Sequence, residues 1–404
     1  MSTPSPLFFH LDVNNAFLSW DAIYRQTVLG EDEDNREIDA IICGDISKRH
    51  GVVLAKSMSA KKYGVKTGEP VVDALKKCPN IRCFEPHMHY YHERSEQLME
   101  IFEKYAPVVE QCSVDEAFLD MSGTGKIYGD PVAFAHKLKD EVRDTLGFTV
   151  NIGISTNRLL AKMASDFQKP DKVHTLFPIE IEEKMWPLPV EDLFFVGKST
   201  AVKLHGLGIH TIGDIAGCDL SVLKSHFKSH GEVIYEFANG IDNTLGHRGE
   251  EEQKGYGNST TISYDVKMAD EAYDIIRKLC DKVCTRLRAD DVQALVLSVE
   301  IKDSNFNVHR HQRSLLSPTN VTSECYKTVC ELFDELWDGA PIRLLGVTAN
   351  KVTDSGMRQM NLFDMDSHEK MQNLDRALDS IRNKYGDGAI TRGSNLKHKD
   401  KIEK

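Results

Sequence analysis

At 404 residues the chain is too long for one hydrophobic core and should divide into about two to four domains. Its hydrophobic content of 41% and charged content of 28% are ordinary for a water-soluble globular protein. No apolar run reaches the ~20 residues that span a bilayer, which argues against a helical membrane protein. The net charge of -12 counts against nucleic-acid binding if taken as a sum, but the charges are unevenly placed. Acid gathers at Glu31–Asp34 and Glu250–Glu252. Base gathers at Lys48, Arg49, Lys56, Lys61, Lys62 and Lys66, and again at Arg310 and Arg313. Met1–Pro6 lacks the pattern of a signal peptide, and nine scattered cysteines read as reduced thiols, so a cytoplasmic location is expected.

In chain order, Leu7–Leu11 is a short apolar run ending at Asp12, so a buried strand should deliver a carboxylate at its C-terminal end. Ala40–Cys43 and Val52–Ala55 read as further strands. Glu93–Tyr105 reads as a helix with Leu98, Ile101, Phe102 and Tyr105 on one face. Val108–Cys112 and Ala117–Met121 read as strands around a tight turn at Ser113–Glu116. Val132–Leu146 should be helical, Thr149–Ile154 a strand, and Asn157–Phe167 a helix stopped by Pro170. Together these predict a two-layer α+β domain. Residues 171–245 read as short helices broken by glycines, and 246–255 as a polar linker. A second α+β unit follows over 256–352: helix Ala269–Arg288, strands Ala294–Ile301 and Asn307–Leu315, helix Ser323–Trp337 and strand Arg343–Val352. Ser367–Asn383 is amphipathic, with Met371, Leu374, Leu378 and Ile381 on one side.

The chemistry concentrates on Asp12, Asp115 and Glu116. A strand-end carboxylate and a turn bearing an adjacent Asp-Glu pair can converge only if their strands are neighbours. Carboxylates that converge repel unless cations neutralise them. All-oxygen ligation suits Mg²⁺, and two such ions roughly 4 Å apart can activate a hydroxyl and stabilise a leaving pyrophosphate. A solvated turn is the bland alternative; the apolar frame from Val109 to Met121 argues against it. Cys78, Cys83, His87, His89 and His92 invite a zinc reading, but their spacing fits no common framework.

His10-Leu11-Asp12-Val13-Asn14-Asn15-Ala16-Phe17, Ser113-Val114-Asp115-Glu116-Ala117-Phe118-Leu119-Asp120 and Asn151-Ile152-Gly153-Ile154-Ser155 resemble motifs of the Y-family, lesion-bypass DNA polymerases. The likeness runs in order over residues 7–352. It implies a right-hand polymerase with a ferredoxin-like palm, small fingers, a helical helix-hairpin-helix thumb and an α+β little finger. The palm would comprise 1–15 and 87–170, the fingers 16–86, the thumb 171–245, the linker 246–255 and the little finger 256–352. A tail, 353–404, would follow. The resemblance implies translesion synthesis with low processivity and no proofreading, on primer-template DNA and dNTPs, by a monomer using two Mg²⁺ ions, with Mn²⁺ as a substitute.

It also implies residue roles. Asp12 and Asp115 would bridge the metals, Glu116 would complete the catalytic-metal site, and Val13 would lie among the ligands. Phe17 would be the steric gate, a ring that excludes a 2′-hydroxyl. Lys61 and Met58 stand where the family usually carries an Arg and a Tyr that touch the incoming triphosphate. Lys61 keeps charge without the bidentate fork, and Met58 cannot donate a hydrogen bond. Lys169 would meet the β- and γ-phosphates. Val52 and Leu54 would roof the nascent base pair. Phe195–Leu204 and Leu207–Ile215 resemble a helix-hairpin-helix, with Gly197 and Lys198 at a DNA phosphate and Phe195 replacing a common glycine. Arg310, Arg313 and Arg343 would contact DNA from the little finger. Gln359-Met360-Asn361-Leu362-Phe363 resembles the pentapeptide by which bacterial polymerases bind the sliding clamp, with Gln359, Leu362 and Phe363 as anchors. A nucleotidyl cyclase, which shares a two-metal palm, and a non-catalytic DNA-binding accessory protein are the rival readings.

Overall fold

The N-terminal apolar run forms β1 (Phe8–Val13), and alternation along it decides what the rest of the first unit must do. Phe9, Leu11 and Val13 enter a large apolar core, while His10 and Asp12 face the other way. The computed structural model describes residues 5–45, 51–243, 253–354, 365–386 and 389–390. It divides into two units, one of residues 1–44 and 51–249, the other of 45–50 and 250–404.

In the first unit, β1 is followed by α1 (Ala16–Tyr24), β2 (Ala40–Cys43), β3 (Val53–Lys56), α2 (Met58–Lys62), α3 (Val71–Lys77) and β4 (Arg82–Phe84). Next come α4 (Met88–Glu103), β5 (Val108–Gln111), β6 (Glu116–Asp120), α5 (Gly125–Tyr128), α6 (Pro131–Leu146), β7 (Val150–Ser155), α7 (Arg158–Asp166) and β8 (Val173–Thr175). Five strands make one sheet in the order β5-β6-β1-β7-β8, with β1 at its centre. Helices α4 and α6 cover one face through Leu98, Phe102, Leu138 and Val142, which pack on Phe9, Leu11, Leu119 and Ile152. On the other face α7 lies close over β7. A separate sheet, β3-β2-β4, carries its own small core around Ile41, Val53, Ala60 and Val71. Strands β4 and β8 are only three residues each, too short for a hydrophobic period to reveal in the sequence.

Four short helices complete this unit: α8 (Lys198–Gly206), α9 (Ile212–Gly217), α10 (Leu220–Phe227) and α11 (Ser229–Ala238). They share a core with the apolar side of α7, in which Leu159, Leu160 and Met163 meet Leu204, Ile215 and Phe237.

The second unit runs β9 (Gly255–Val266), α12 (Ala269–Ala289), β10 (Val292–Asp303), β11 (Val308–Thr319), α13 (Thr322–Leu336), β12 (Ile342–Asp354) and α14 (Met365–Tyr385). Its sheet order is β11-β10-β12-β9, and α12 and α13 pack on one face through Leu279, Val283, Val329 and Phe333. Strand β9 falls where the sequence reads as the end of a linker and an unassigned stretch. Its Gly, Ser and Thr residues give no apolar period, and pairing with β12 makes the strand. Helix α14 leaves part of its apolar side exposed. Leu374 and Ile381 are 50% and 36% exposed, whereas Asp375 is 3% exposed. The helix docks by its acidic side: Asp375 and Asp379 hold the buried Arg288 at 3.3 and 2.6 Å, and Arg382 reaches Asp281 at 2.8 Å. Apolar patterning alone could not have shown this, because hydrogen-bonded ion pairs, not area, select the face.

Gly153 on β7 sits where α7 crosses the sheet. A Cβ there would lie 2.0 Å from the Ala161 carbonyl oxygen and 2.4 Å from the Ser165 nitrogen, both backbone atoms that a rotamer change cannot move. Gly153→Ala should therefore cost about 3 kcal/mol or more in urea-unfolding stability. An unchanged unfolding midpoint would contradict this packing.

Candidate active site

Strand register brings the carboxylates together. Asp12 lies directly opposite Glu116 on β6 and opposite Asn151 on β7. Cross-strand partners share a face, so the two carboxylates and the Asn151 amide stand on the side away from the apolar core. Asp115 sits on the turn just before β6, and its backbone carbonyl accepts from Val13 N–H at 3.0 Å. That bond ties the turn to the end of β1, so Asp12, Val13, Asp115 and Glu116 form one continuous edge. The Asp115 side chain accepts a hydrogen bond from Ser113 Oγ at 2.6 Å.

Two lysines answer the negative charge. Lys169 Nζ lies 2.8 Å from Asp12 Oδ1 and 2.9 Å from Asp166. Lys162 Nζ, from α7, lies 3.0 Å from Glu116 Oε1. Burial, reinforced by Glu116, pushes the Asp12 carboxyl up to about 7 against the pull of Lys169. Burial acts on Glu116 too, but Lys162 outweighs it and holds that carboxyl below its usual range. Burial, aided by Lys162, pulls His10 down to about 3, so its imidazole is neutral. His10 Nδ1 hydrogen-bonds Ser165 Oγ at 2.8 Å. Its Nε2 is buried without a hydrogen-bond partner, 3.9 Å from Glu116 Oε2.

The donors fit a hard divalent cation in kind, since all are oxygens and two are cross-strand neighbours. They are not yet gathered: among the described residues no three acidic, His or Cys side chains form a ready cluster. The ammonium groups of Lys162 and Lys169 occupy the carboxylates, and Asp115 is turned to Ser113. Ligation of a cation by all three acids requires those side chains to move.

Phe17 stands in the first turn of α1, just beyond this edge. Asn15 turns the chain there with φ of 51° and donates from Nδ2 to Lys56 O at 2.8 Å, joining β1 to the small sheet. The Phe17 ring is half-buried and stacks on buried Tyr91, with centroids 5.1 Å apart and an interplanar angle of 21°.

The chain is similar to known proteins over most of its length. The impB/mucB/samB family model matches residues 12–166, its C-terminal domain matches 253–362, and the model "DNA polymerase-iota, thumb domain" matches 191–242. "DNA polymerase IV" of Clostridium acetobutylicum is 44% identical over 398 residues, covering 98% of this chain and all of that protein. The chain belongs to the Y-family DNA polymerases. "DNA polymerase IV 2" of Bacillus subtilis is 33% identical, covering 93% of this chain and 92% of that one. A Y-family DNA polymerase chimera of solved structure shares the fold at a TM-score of 0.73 and 20% identity, covering 86% of this chain and 99% of that chain.

This Y-family polymerase is thus a DNA-directed, translesion DNA polymerase with right-hand architecture. DNA and dNTPs are its substrates, and divalent metal dependence goes with the family. The cyclase and accessory-protein readings fall. No helix among the described residues is long and apolar enough to cross a membrane.

Other predicted residues lie as follows. Met58 and Lys61, on α2, are exposed, with Met58 at 64%. Gly197 is the N-cap of α8 and Lys198 its first residue. Phe195 adopts φ of 73°, the left-handed conformation a glycine takes easily, and its ring packs on Phe194 and Phe237. The turn is kept, and the aromatic is accommodated by stacking. On β11, Arg310 and Arg313 point to opposite faces. Arg310 pairs with Glu300 on β10 at 2.5 Å, while Arg313 faces α13 and pairs with Glu331 and Glu335 at 2.6 and 2.5 Å. The structure does not bring these two arginines together. Arg343 lies over the Phe306 ring at 4.8 Å. Gln359, Leu362 and Phe363 lie outside the described residues.

Sequence reasoning assigned no role to His10, Asn14, Tyr91, Asn151 or Lys162. Spacing held a signal for two of them: His10 shares a strand face with Asp12, and Lys162, Asp166 and Lys169 recur at i, i+4, i+7.

Proposed function

We propose that Asp12, Asp115 and Glu116 carry template-directed transfer of dNMP to a primer 3′-hydroxyl. The observation that supports this most is the register that sets Asp12 across from Glu116, with Asp115 tied by its backbone to the end of β1. Two Mg²⁺ ions, or Mn²⁺ in their place, would be held by these carboxylates and the backbone at Val13. Bound there, the ions would lower the 3′-hydroxyl pKa and stabilise the charge developing on pyrophosphate. This chain's own contribution is positional. Burial raises the Asp12 carboxyl, so a cation that joins it would help it give up its proton. Lys169, already at Asp12, is placed to move its charge to the β- and γ-phosphates as Asp12 turns to metal. Lys61 would add a point charge to the triphosphate, with Met58 as an apolar neighbour. Asp115→Ala or Glu116→Ala should reduce primer extension by several orders of magnitude while leaving primer-template binding intact. Near-normal extension by either purified variant would refute the assignment.

Phe17, backed by Tyr91, is the proposed sugar discriminator, and Val52 and Leu54 the roof over the nascent pair. Val52 is exposed and Leu54 half-buried, which suits a surface that meets substrate. Phe17→Ala should raise the rNTP/dNTP ratio of kcat/KM. A ratio equal to the parent's would remove Phe17 from that role.

The hand is assigned as palm 1–15 and 87–170, fingers 16–86, thumb 171–245, linker 246–255, little finger 256–352 and tail 353–404. Gly197 and Lys198 would hold a DNA phosphate at the α8 N-terminus. Arg310 and Arg343 would serve DNA from the little finger, and Arg313 could join them only by leaving Glu331 and Glu335. A monomer acting in the cytoplasm is proposed, with low processivity offset by tethering to the sliding clamp through Gln359, Leu362 and Phe363. Leu362→Ala combined with Phe363→Ala should abolish clamp-stimulated synthesis on primed circular DNA. Retained stimulation would show that the pentapeptide is not the tether.

A further inference from the structure

Lys169 lies in the loop between α7 and β8, and two buried amides grip that loop on both sides of it. Asn151, fully buried on β7, donates from Nδ2 to the Ser165 carbonyl at 2.9 Å and to the Gln168 carbonyl at 2.7 Å. Its Oδ1 accepts from Lys172 N–H at 3.1 Å and from Asn14 Nδ2 at 3.2 Å. Asn14, 8% exposed at the end of β1, accepts at Oδ1 from Asp171 N–H at 2.8 Å and from Thr149 Oγ1 at 2.9 Å. The orientation of the Asn151 amide is forced, because carbonyls only accept and backbone N–H groups only donate. Its two donors and two acceptor sites are all used. The pair thus fixes Ser165 and Gln168 before Lys169, and Asp171 and Lys172 after Pro170. Lys139, 6% exposed, adds a third hold through Asp171 Oδ1 at 2.9 Å.

We infer that the Asn14–Asn151 amide pair is the positioning device that sets Lys169 against Asp12 and the incoming triphosphate. The same strand positions that present Asp12 also present this pair: Asn151 is the cross-strand partner of Asp12, and Asn14 is two residues beyond it. The acid and the lysine that serves it are therefore referenced to one pair of strands. Only an amide can do this. A carboxylate at 151 has the same shape but cannot donate, and would face two carbonyl oxygens. This inference rests on the reading of Lys169 as a triphosphate contact.

The test is steady-state dNTP incorporation on a primed template by the full chain carrying Asn151→Asp, Lys169→Ala or both. Asn151→Asp should raise the dNTP KM by roughly 10-fold or more, with a smaller fall in kcat and unchanged affinity for primer-template DNA. In the Lys169→Ala background it should add nothing further, because the amide acts through Lys169. Asn14→Ala, which frees Asp171 N–H and drops one bond to Asn151 Oδ1 but leaves the Asn151 bonds to Ser165, Gln168 and Lys172, should give the same pattern at smaller amplitude and serves if Asn151→Asp does not fold. A parental dNTP KM in Asn151→Asp or Asn14→Ala, with KM raised in Lys169→Ala, would overturn the inference alone. Multiplying effects in the double variant would overturn it too, since they show a structural role independent of Lys169. A parental KM in Lys169→Ala would remove the Lys169 reading and this inference together.

Discussion

The alternation of β1 at the centre of its sheet is the constraint on which the rest of the first unit depends. With a neighbour on each side, the strand must bury Phe9, Leu11 and Val13 against α4 and α6 on one face, and this commits His10 and Asp12 to the other. Register with β6 and β7 then determines which side chains stand beside Asp12. A slip of one residue would place Ala117 and Ile152 there and send Glu116 and Asn151 into the apolar core. The core thus holds the site in register: the apolar area that stabilises the sheet also forbids the carboxylates any other neighbours.

Charge placed by such a constraint is costly, and the protein's response is visible in the lysines. A buried carboxylate loses solvation that one ion pair does not fully restore. At Asp12 the balance favours the neutral acid up to about 7, while at Glu116 the Lys162 ammonium wins. The edge is thus only partly neutralised by the chain itself. A net charge of -12 does not preclude work on a polyanion, since local placement of cations matters more than the sum.

The second unit shows a different use of charge. Arg288, held among Asp375, Asp379, Thr285 and Thr322, fastens α14 onto α12 by polar contacts, and the helix leaves Leu374, Ile381 and Tyr385 exposed. Arg313 on β11 is likewise engaged with α13. Arg310, on the opposite face, meets the cross-strand Glu300. Faces that look equivalent in a one-dimensional pattern are separated here by their ion-pair partners.

The sequence by itself determined the elements that local pattern encodes. The strand ending at Asp12, the hairpin carrying Asp115 and Glu116, and the long helices α4, α6, α12 and α13 all follow from runs whose period is 2 or 3.6 residues. The shared motifs named the family, and on that resemblance Asp12, Phe17 and Lys169 are proposed as site residues. Tertiary structure alone decided the rest, because each remaining feature depends on partners distant in the chain. Strand β9 exists by pairing with β12, and α14 chooses its polar face because Arg288 waits on α12. Asn14, just past the first strand, and Asn151, within another, carry no assigned role in the sequence until the fold brings them within 3.2 Å of each other and under the Lys169 loop. An amide has no period and no charge for a pattern to detect; its role appears only when the carbonyls and N–H groups it must satisfy are in place.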